Sequence, residues 1–332
     1  MTTPPNQTRP LGIGVLGCAD IAVRRFLPAV LASSKARLIA VAGRDGHKAS
    51  HLARQYQCAA MGYRELLQTE QVDLVYLPLP NYLHEEWALE ALKQGKHVLC
   101  EKPLALNSAS VERIVAKAEA AGLLAFENIM YLQHPQHGLI KKMIADGTVG
   151  VMTGLNCVFT IPAPAAGTFR LDPQQGGGAF HDLNRYPLSA ARFFLKGDLA
   201  EIVHCDATWK NGMVEAMNAK AITATGEQFT FSIAFGQPYR SFYEILGTQG
   251  TLRLERAFTP PPDHACRLEI YRHDGNETIF MPAHDHFLLT IDHIAALIAG
   301  GSDYSVEHEH ARSLARMADR FFQQAGAQER PS

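Results

Sequence analysis

The sequence predicts an α/β chain: an N-terminal doubly wound parallel sheet, then an α+β domain with an open, mostly antiparallel sheet. Three observations carry that prediction. Between about residues 11 and 127, short apolar runs alternate with segments of helical spacing, as in a parallel sheet covered on both faces. After about residue 128, longer strand-like runs follow one another with turns between them, as in antiparallel pairing. The length of 332 residues is enough for two cores, and 47% hydrophobic with 19% charged residues is ordinary for globular chains.

In the first half, strands are expected at 12–16, 38–42, 72–77, 97–100 and 123–126. Helices are expected at 21–31, in a polar segment ending near 57, and at 82–94 and 108–121. Pro78 and Pro80 end the third strand, and Gly95 and Gly122 stop the helices before them. Right-handed crossovers then give the doubly wound order. A helix near 135–145 leads into strands at 151–161, 201–209, 219–224, 228–234, 243–246, 251–254 and 268–271. Gly247, Gly250 and Asp274-Gly275 mark turns among them. Helices at 179–195, 287–299 and 308–324 are expected to cover one face of that sheet. The division is therefore a polar, Pro-rich, disordered leader at 1–10, a first domain at 11–127 and a second at 128–332.

Charge and composition narrow the function. Lys plus Arg number 31 against 33 Asp plus Glu, a net charge of -2, which lacks the basic footprint of a nucleic-acid binder. No apolar run approaches the roughly 20 residues that span a bilayer, so neither nucleic acid nor membrane is an expected partner. The 6 cysteines are scattered without a Cys-x-x-Cys pair, which predicts reduced thiols and a cytoplasmic setting. Close histidine pairs (134/137, 284/286, 308/310) have no third ligand at a usual spacing, so no metal is expected. Gly95-Lys96 lacks the upstream glycine and the following Ser or Thr of a P-loop. Arg312, Arg316 and Arg320, at helical spacing, read as a solvated face or a subunit contact.

The first strand runs into Gly17-Cys18-Ala19-Asp20-Ile21-Ala22, with Gly17, Ala19 and Ala22 at the three small positions of a dinucleotide fingerprint. Small residues there permit a tight turn, close approach to a pyrophosphate and close helix packing, with the helix N-terminus facing the phosphates. Strand two ends at Gly43-Arg44-Asp45, where an NAD site usually carries a carboxylate for the ribose. Gly43 leaves room for a 2′-phosphate and Arg44 can pair with it, which points to NADP(H); were Asp45 to face the ribose, NAD(H) would be expected.

The strand ending Cys100-Glu101-Lys102-Pro103 places a lysine where parallel sheets bind ligands, before a proline open to a cis bond. After Gly176-Gly177-Gly178, Asp182 and Tyr186 stand four residues apart on one helical face, and Pro187 is expected to kink that helix. Hydride transfer to a ketone leaves an alkoxide that needs a proton. Lys102 is the first candidate donor, with three N–H bonds and a positive charge; Tyr186 is the second, its phenolate favoured by Lys102. Asp182 would hold Lys102 or a hydroxyl.

These motifs, from the fingerprint through Glu101-Lys102-Pro103 to the glycine turn before Asp182 and Tyr186, resemble the Gfo/Idh/MocA oxidoreductase family over nearly the whole chain. The resemblance implies a Rossmann domain that binds NAD(P) and an open-sheet domain that presents a sugar-like substrate. It also implies a homo-oligomer, dimer or tetramer, formed through the outer face of that sheet. Many members carry His where Tyr186 stands. Arg24-Arg25, Leu77-Pro78-Leu79-Pro80 leading to His84, His134-Pro135-Gln136-His137, Phe258-Thr259-Pro260-Pro261 and Pro282-Ala283-His284-Asp285 are similar to one subgroup. These are the NADPH-dependent 3-ketoreductases of nucleotide-linked deoxysugar biosynthesis, which implies a dTDP-3-keto-6-deoxyhexose reduced at C3. NADP-dependent aldose (xylose) and dihydrodiol dehydrogenases share several of the motifs and are the alternative. A non-catalytic NADP(H) sensor would have no need of Lys102, Asp182 and Tyr186 together. The remaining site expectations place Glu101, Leu79, His84 and Arg170 beside the cofactor, and Arg25 at a nucleotide diphosphate. Tyr63, Tyr239, Arg240 and Thr259 are the further expected substrate contacts.

Overall fold

Strands made mostly of apolar or small side chains can be buried on both faces, and the centre of the first sheet is built from them. The computed structural model describes residues 9–301 and 303–328; the leader expected at 1–10 lies outside these except for its last two residues. Strands β1 (Leu11–Leu16), β2 (Ala36–Ala42), β3 (Ala59–Met61), β4 (Leu74–Leu77), β5 (His97–Glu101) and β6 (Ala125–Asn128) pair in parallel in the order β3-β2-β1-β4-β5-β6. The order reverses between β1 and β4, the switch point where such sheets open a ligand crevice. The crossovers are α1 (Leu27–Ala32), α2 (Gly46–Gln55), α3 (Tyr63–Gln68), α4 (His84–Lys93) and α5 (Ser108–Ala121). A π-helical turn, Ala22–Phe26, precedes α1. The sequence reading missed β3 and α3, because three largely exposed strand residues and six helical ones are too few to show a period.

After α6 (Pro135–Ala145) come β7 (Met152–Thr160), α7 (Ala179–Leu183) and α8 (Arg185–Phe194). Then follow β8 (Leu199–Lys210), β9 (Met213–Thr223), β10 (Gln228–Ala234), β11 (Arg240–Gly247), β12 (Gly250–Glu255), β13 (Arg267–Arg272) and β14 (Gly275–Phe280). The eight strands pair in the order β14-β13-β12-β11-β7-β10-β9-β8, antiparallel except for β7 with β10. β14 also escaped the reading, since its side chains are nearly all exposed and show no apolar alternation. The helix expected at 179–195 is interrupted at Asn184. Pro187 has no N–H to return to the Leu183 carbonyl, so the break falls a turn before it.

Helices α9 (His286–Gly300) and α10 (Ser305–Gln328) return to the first sheet, α9 against α1 and α10 against α5 and β6. Here Arg312 and Arg320 of the arginine row prove to be internal ties, whereas Arg316 is exposed and pairs with Glu309 of its own helix, as a solvated face would. Arg312 forks onto Glu112 and Glu119 of α5 at 2.6–2.9 Å, and Arg320 donates to the Leu199 and Ala200 carbonyls. One continuous core joins Ile13, Val15 and Tyr76 of the first sheet to Phe231, Tyr243 and Ile245 of the second. No helix among the described residues is long and apolar enough to cross a membrane.

Candidate active site

The turns after β1, β2, β4 and β5 all leave the carboxyl edge of the parallel sheet, so the topology gathers them. Gly17 has φ +128°, and a Cβ on it would stand 2.9 Å from Leu79 Cδ2. Only glycine permits both the angle and the approach. At the tip of β2 a Cβ on Gly43 would meet Cys18 Sγ at 3.0 Å, so the two turns pack with no space for a side chain. Cys18 bonds the Ala42 carbonyl, Ala19 and Ile21 are half-buried, Ala22 is buried, and Asp20 pairs with Arg24 at the surface. Asp45 caps α2, accepting from the His47 and Lys48 amides at 2.9 and 3.3 Å. Its Oδ1 serves the helix, and Arg44 beside it is exposed at the rim. This cradle suits a dinucleotide carrying a 2′-phosphate.

Lys102 stands at the end of β5, before a cis peptide to Pro103. Its ammonium donates to the Asp182 carbonyl at 2.6 Å and to Asp182 Oδ1 at 2.7 Å, while Arg170 Nε donates to Asp182 Oδ2 at 2.8 Å. Burial alone would raise the Asp182 pKa, but Lys102 and Arg170 overcome it and hold the carboxyl at about 2. The glycine turn makes this contact possible. A Cβ on Gly177 would lie 2.6 Å from the Phe169 oxygen and 2.7 Å from the Arg170 oxygen, and the Gly178 amide donates to that Arg170 carbonyl.

The Lys102 ammonium also lies 5.2 Å from the centre of the Tyr186 ring, a cation–π distance. Tyr186 packs edge-on to Phe159 at 4.6 Å and beside Phe258 at 5.6 Å and Tyr131 at 6.1 Å. Burial, reinforced by the charge of Asp182, raises its pKa well above the ordinary value. The surroundings therefore oppose the expected phenolate: Asp182 neutralises the lysine, and burial keeps the Tyr186 phenol protonated.

Other expected residues fall in several places. Glu101 Oε1 accepts from Tyr76 and Asn128, each at 2.7 Å, which laces β5 to its neighbours β4 and β6. His84 is fully buried with both ring nitrogens against backbone carbonyls, those of Pro103 and Leu79, so it offers no nitrogen to a cofactor. Arg25 Nη2 contacts the Pro260 carbonyl and His286, and its guanidinium lies over Phe287, which joins the first helix to α9. Tyr63 packs on Trp87 beside Arg44 and Cys18, at the cofactor end and not with the substrate contacts. Tyr239 bonds Thr259 at 2.7 Å and lies 6.2 Å from Phe159, extending the aromatic wall outward, and Arg256 covers its ring at 4.8 Å. Arg240 leans on Thr160.

Sequence reasoning missed Asn81, which donates to the Gly176 oxygen at 2.9 Å, and the buried Arg185–Glu127 pair at 2.6 Å. A carboxylate closing an apolar strand (Glu127) and an arginine beside Tyr186 were the available signals. A cavity of about 1030 Å³ lies at the opposite edge of the first sheet, by Lys35, Asp73 and Lys96, and holds none of these groups. Among the described residues, no group of three His, Cys, Asp or Glu is placed to hold a metal.

A model of an oxidoreductase family with an NAD-binding Rossmann fold, GFO/IDH/MocA, matches residues 11–129, and the model of its C-terminal domain matches 137–253. The dTDP-3,4-didehydro-2,6-dideoxy-alpha-D-glucose 3-reductase of Streptomyces antibioticus is 38% identical over 316 residues, 93% of this chain and 95% of that protein. The crystal structure of a 3-ketoreductase from Actinomadura kijaniata with NADP and TDP-benzene matches at TM-score 0.90 and 37% identity, covering 93% of this chain and 96% of that one. A D-xylose 1-dehydrogenase (NADP(+)) of Haloferax volcanii is 31% identical over 318 residues, 94% of this chain and 96% of that protein.

Proposed function

The chain belongs to the GFO/IDH/MocA oxidoreductase family, and from that membership we propose that it reduces the C3 ketone of a dTDP-linked 3-keto-deoxyhexose to the hydroxyl with NADPH. One observation carries the chemistry: Lys102, pinned by Asp182, faces the ring of a protonated Tyr186 at the carboxyl edge of the parallel sheet. NADPH, when bound, supplies the hydride. In this reading residues 11–127 hold it, with Gly17 to Ala22 at the pyrophosphate and Gly43 with Arg44 at the 2′-phosphate. Residues 128–332 present the sugar nucleotide, and Tyr239, Arg240 and Thr259 line its path.

As C3 is reduced, its oxygen gains negative charge and then a proton. Lys102 spends two N–H bonds on Asp182 and keeps a third for that oxygen. Its positive charge meets the developing alkoxide, and proton transfer from it leaves a neutral amine that water reprotonates. Asp182 remains ionised throughout and aims the ammonium. Tyr186 donates a hydrogen bond to the same oxygen. Arg170 shares the Asp182 charge, so the carboxylate does not compete for the lysine proton.

We also infer that copies associate through the outer face of the eight-stranded sheet, where Leu246 and Tyr271 are exposed. Sedimentation velocity on the wild type and on Leu246→Glu checks this; the variant is expected to dissociate. The function is tested by following NADPH oxidation with a dTDP-3-keto-deoxyhexose beside NADP⁺ reduction with xylose or glucose. Turnover in the first arm alone is expected. Turnover only in the second makes the protein an aldose dehydrogenase, and silence in both leaves a cofactor-binding sensor.

A further inference from the structure

His84 opens α4 from full burial, and each of its ring nitrogens meets a main-chain carbonyl: Nδ1 is 2.7 Å from the Pro103 oxygen and Nε2 is 2.8 Å from the Leu79 oxygen. The two carbonyls belong to different turns. Leu79 follows β4 and packs its side chain on Gly17, in the floor of the dinucleotide cradle. Pro103 is one residue past Lys102, in the turn that carries the proton donor. Asn81, on the same stretch as Leu79, bonds the Gly176 oxygen in the glycine turn that leads to Asp182. A single imidazole therefore spans the part of the site that would seat the dinucleotide and the part that protonates the product. Both of its partners only accept, so the neutral ring serves one through its single proton and the protonated ring serves both. Burial pushes its pKa down; the Pro103 and Leu79 carbonyls and the Glu127 carboxylate oppose this, and the Lys102 charge adds to it.

We propose that His84 is a positioning residue that sets the distance between the floor of the cradle and Lys102, so that ammonium and hydride reach the carbonyl group together. The proposal rests on the ketoreductase reading above. A misplacement of about 1 Å at a reacting group costs on the order of 10²-fold in rate, so a clamp of this kind is worth having even though it touches neither reactant.

Three variants dissect the clamp. His84→Ala removes both contacts. His84→Asn keeps an amide N–H near the place of Nδ1 and can still reach Pro103; His84→Gln reaches toward Leu79 instead. With NADPH and the keto-sugar, His84→Ala should lose at least about 10-fold in kcat while its NADPH Kd stays within about threefold of wild type. Its primary deuterium isotope effect with 4-deuterated NADPH should rise, because hydride transfer has become slower relative to product release. His84→Asn should recover more of kcat than His84→Gln, since Pro103 is on the Lys102 side. If all three variants lose thermal stability but keep wild-type kcat per NADPH site and a wild-type isotope effect, the proposal is overturned. A second measurement needs no substrate: amide hydrogen exchange on the full chain with NADPH. In His84→Ala, peptides covering 78–83 and 102–107 should exchange faster together, and acceleration confined to 78–83 overturns the proposal. A wild type that reduces no keto-sugar sinks the ketoreductase reading alone and leaves this exchange test standing.

Discussion

Lys102, Asp182 and Arg170 form one charge set, a buried carboxylate held between two cations. Replacing Lys102 with Ala should leave NADPH binding in place and lower kcat by roughly 10²–10⁴-fold, the usual worth of a positioned proton donor. Stopped-flow hydride transfer checks it, and an unchanged rate would take Lys102 out of the mechanism. At the other end of the cradle, Arg44→Ala should weaken NADPH by about 1–3 kcal/mol and NADH hardly at all, the loss of one charge-assisted contact. Equal losses for the two cofactors, measured by fluorescence titration, would refute the 2′-phosphate role. Asp45 Oδ1 already accepts from two amides of α2, which favours Arg44 over Asp45 at the ribose. The sequence left Arg44 and Asp45 as rivals, and the cap on α2, visible only in the structure, favours Arg44.

At the scale of elements, the glycine turn before α7 and the helix α6 make a matched pair of tests. Gly177→Ala would press a methyl group against two backbone oxygens that cannot move aside, 2.6 and 2.7 Å away. It should cost at least about 1–3 kcal/mol and withdraw Arg170 from Asp182. Gly138 lies inside α6 with nothing within 4 Å of a new Cβ, so Gly138→Ala should stabilise by about 0.5–1 kcal/mol. Thermal melts of both variants read the opposite signs. The same contrast explains what was legible. β1, β4 and β5 are short apolar runs between clear stop signals, and they fall where expected within a residue or two. β3 and β14 carry no such signal, since their side chains are exposed and their place comes from pairing with β2 and β13.

For the whole molecule, buried histidines set the response to acid. Burial lowers His134, His181 and His310 to about 4 and His286 to about 3. In the unfolded chain the same rings titrate near 6.5. Below that value the unfolded state takes up protons that the folded state refuses, so stability falls as the pH drops from about 6.5 toward 4. Each buried histidine adds to the slope across that window. The Asp182 carboxyl, which Lys102 and Arg170 hold down against the effect of burial, adds a further loss between about 4 and 2. Urea denaturation at pH 7, 5.5 and 4.5 should show stability falling at each step; a flat profile would contradict the burial of these rings.

By itself the sequence determined the alternation that makes a parallel sheet, the small residues of the Gly17 turn, and the lysine at the end of β5, since each depends on neighbours close in the chain. Tertiary structure decided which partners those residues meet. Lys102 and Asp182 are 80 residues apart, and His84 reaches two turns at once. Local patterns encode backbone preference and burial, whereas a hydrogen bond between distant side chains is specified only after both sheets have packed onto one core. For the same reason the tyrosine beside the lysine could be located from its spacing, but its protonation could not: that depends on the burial and charges the fold assembles around it.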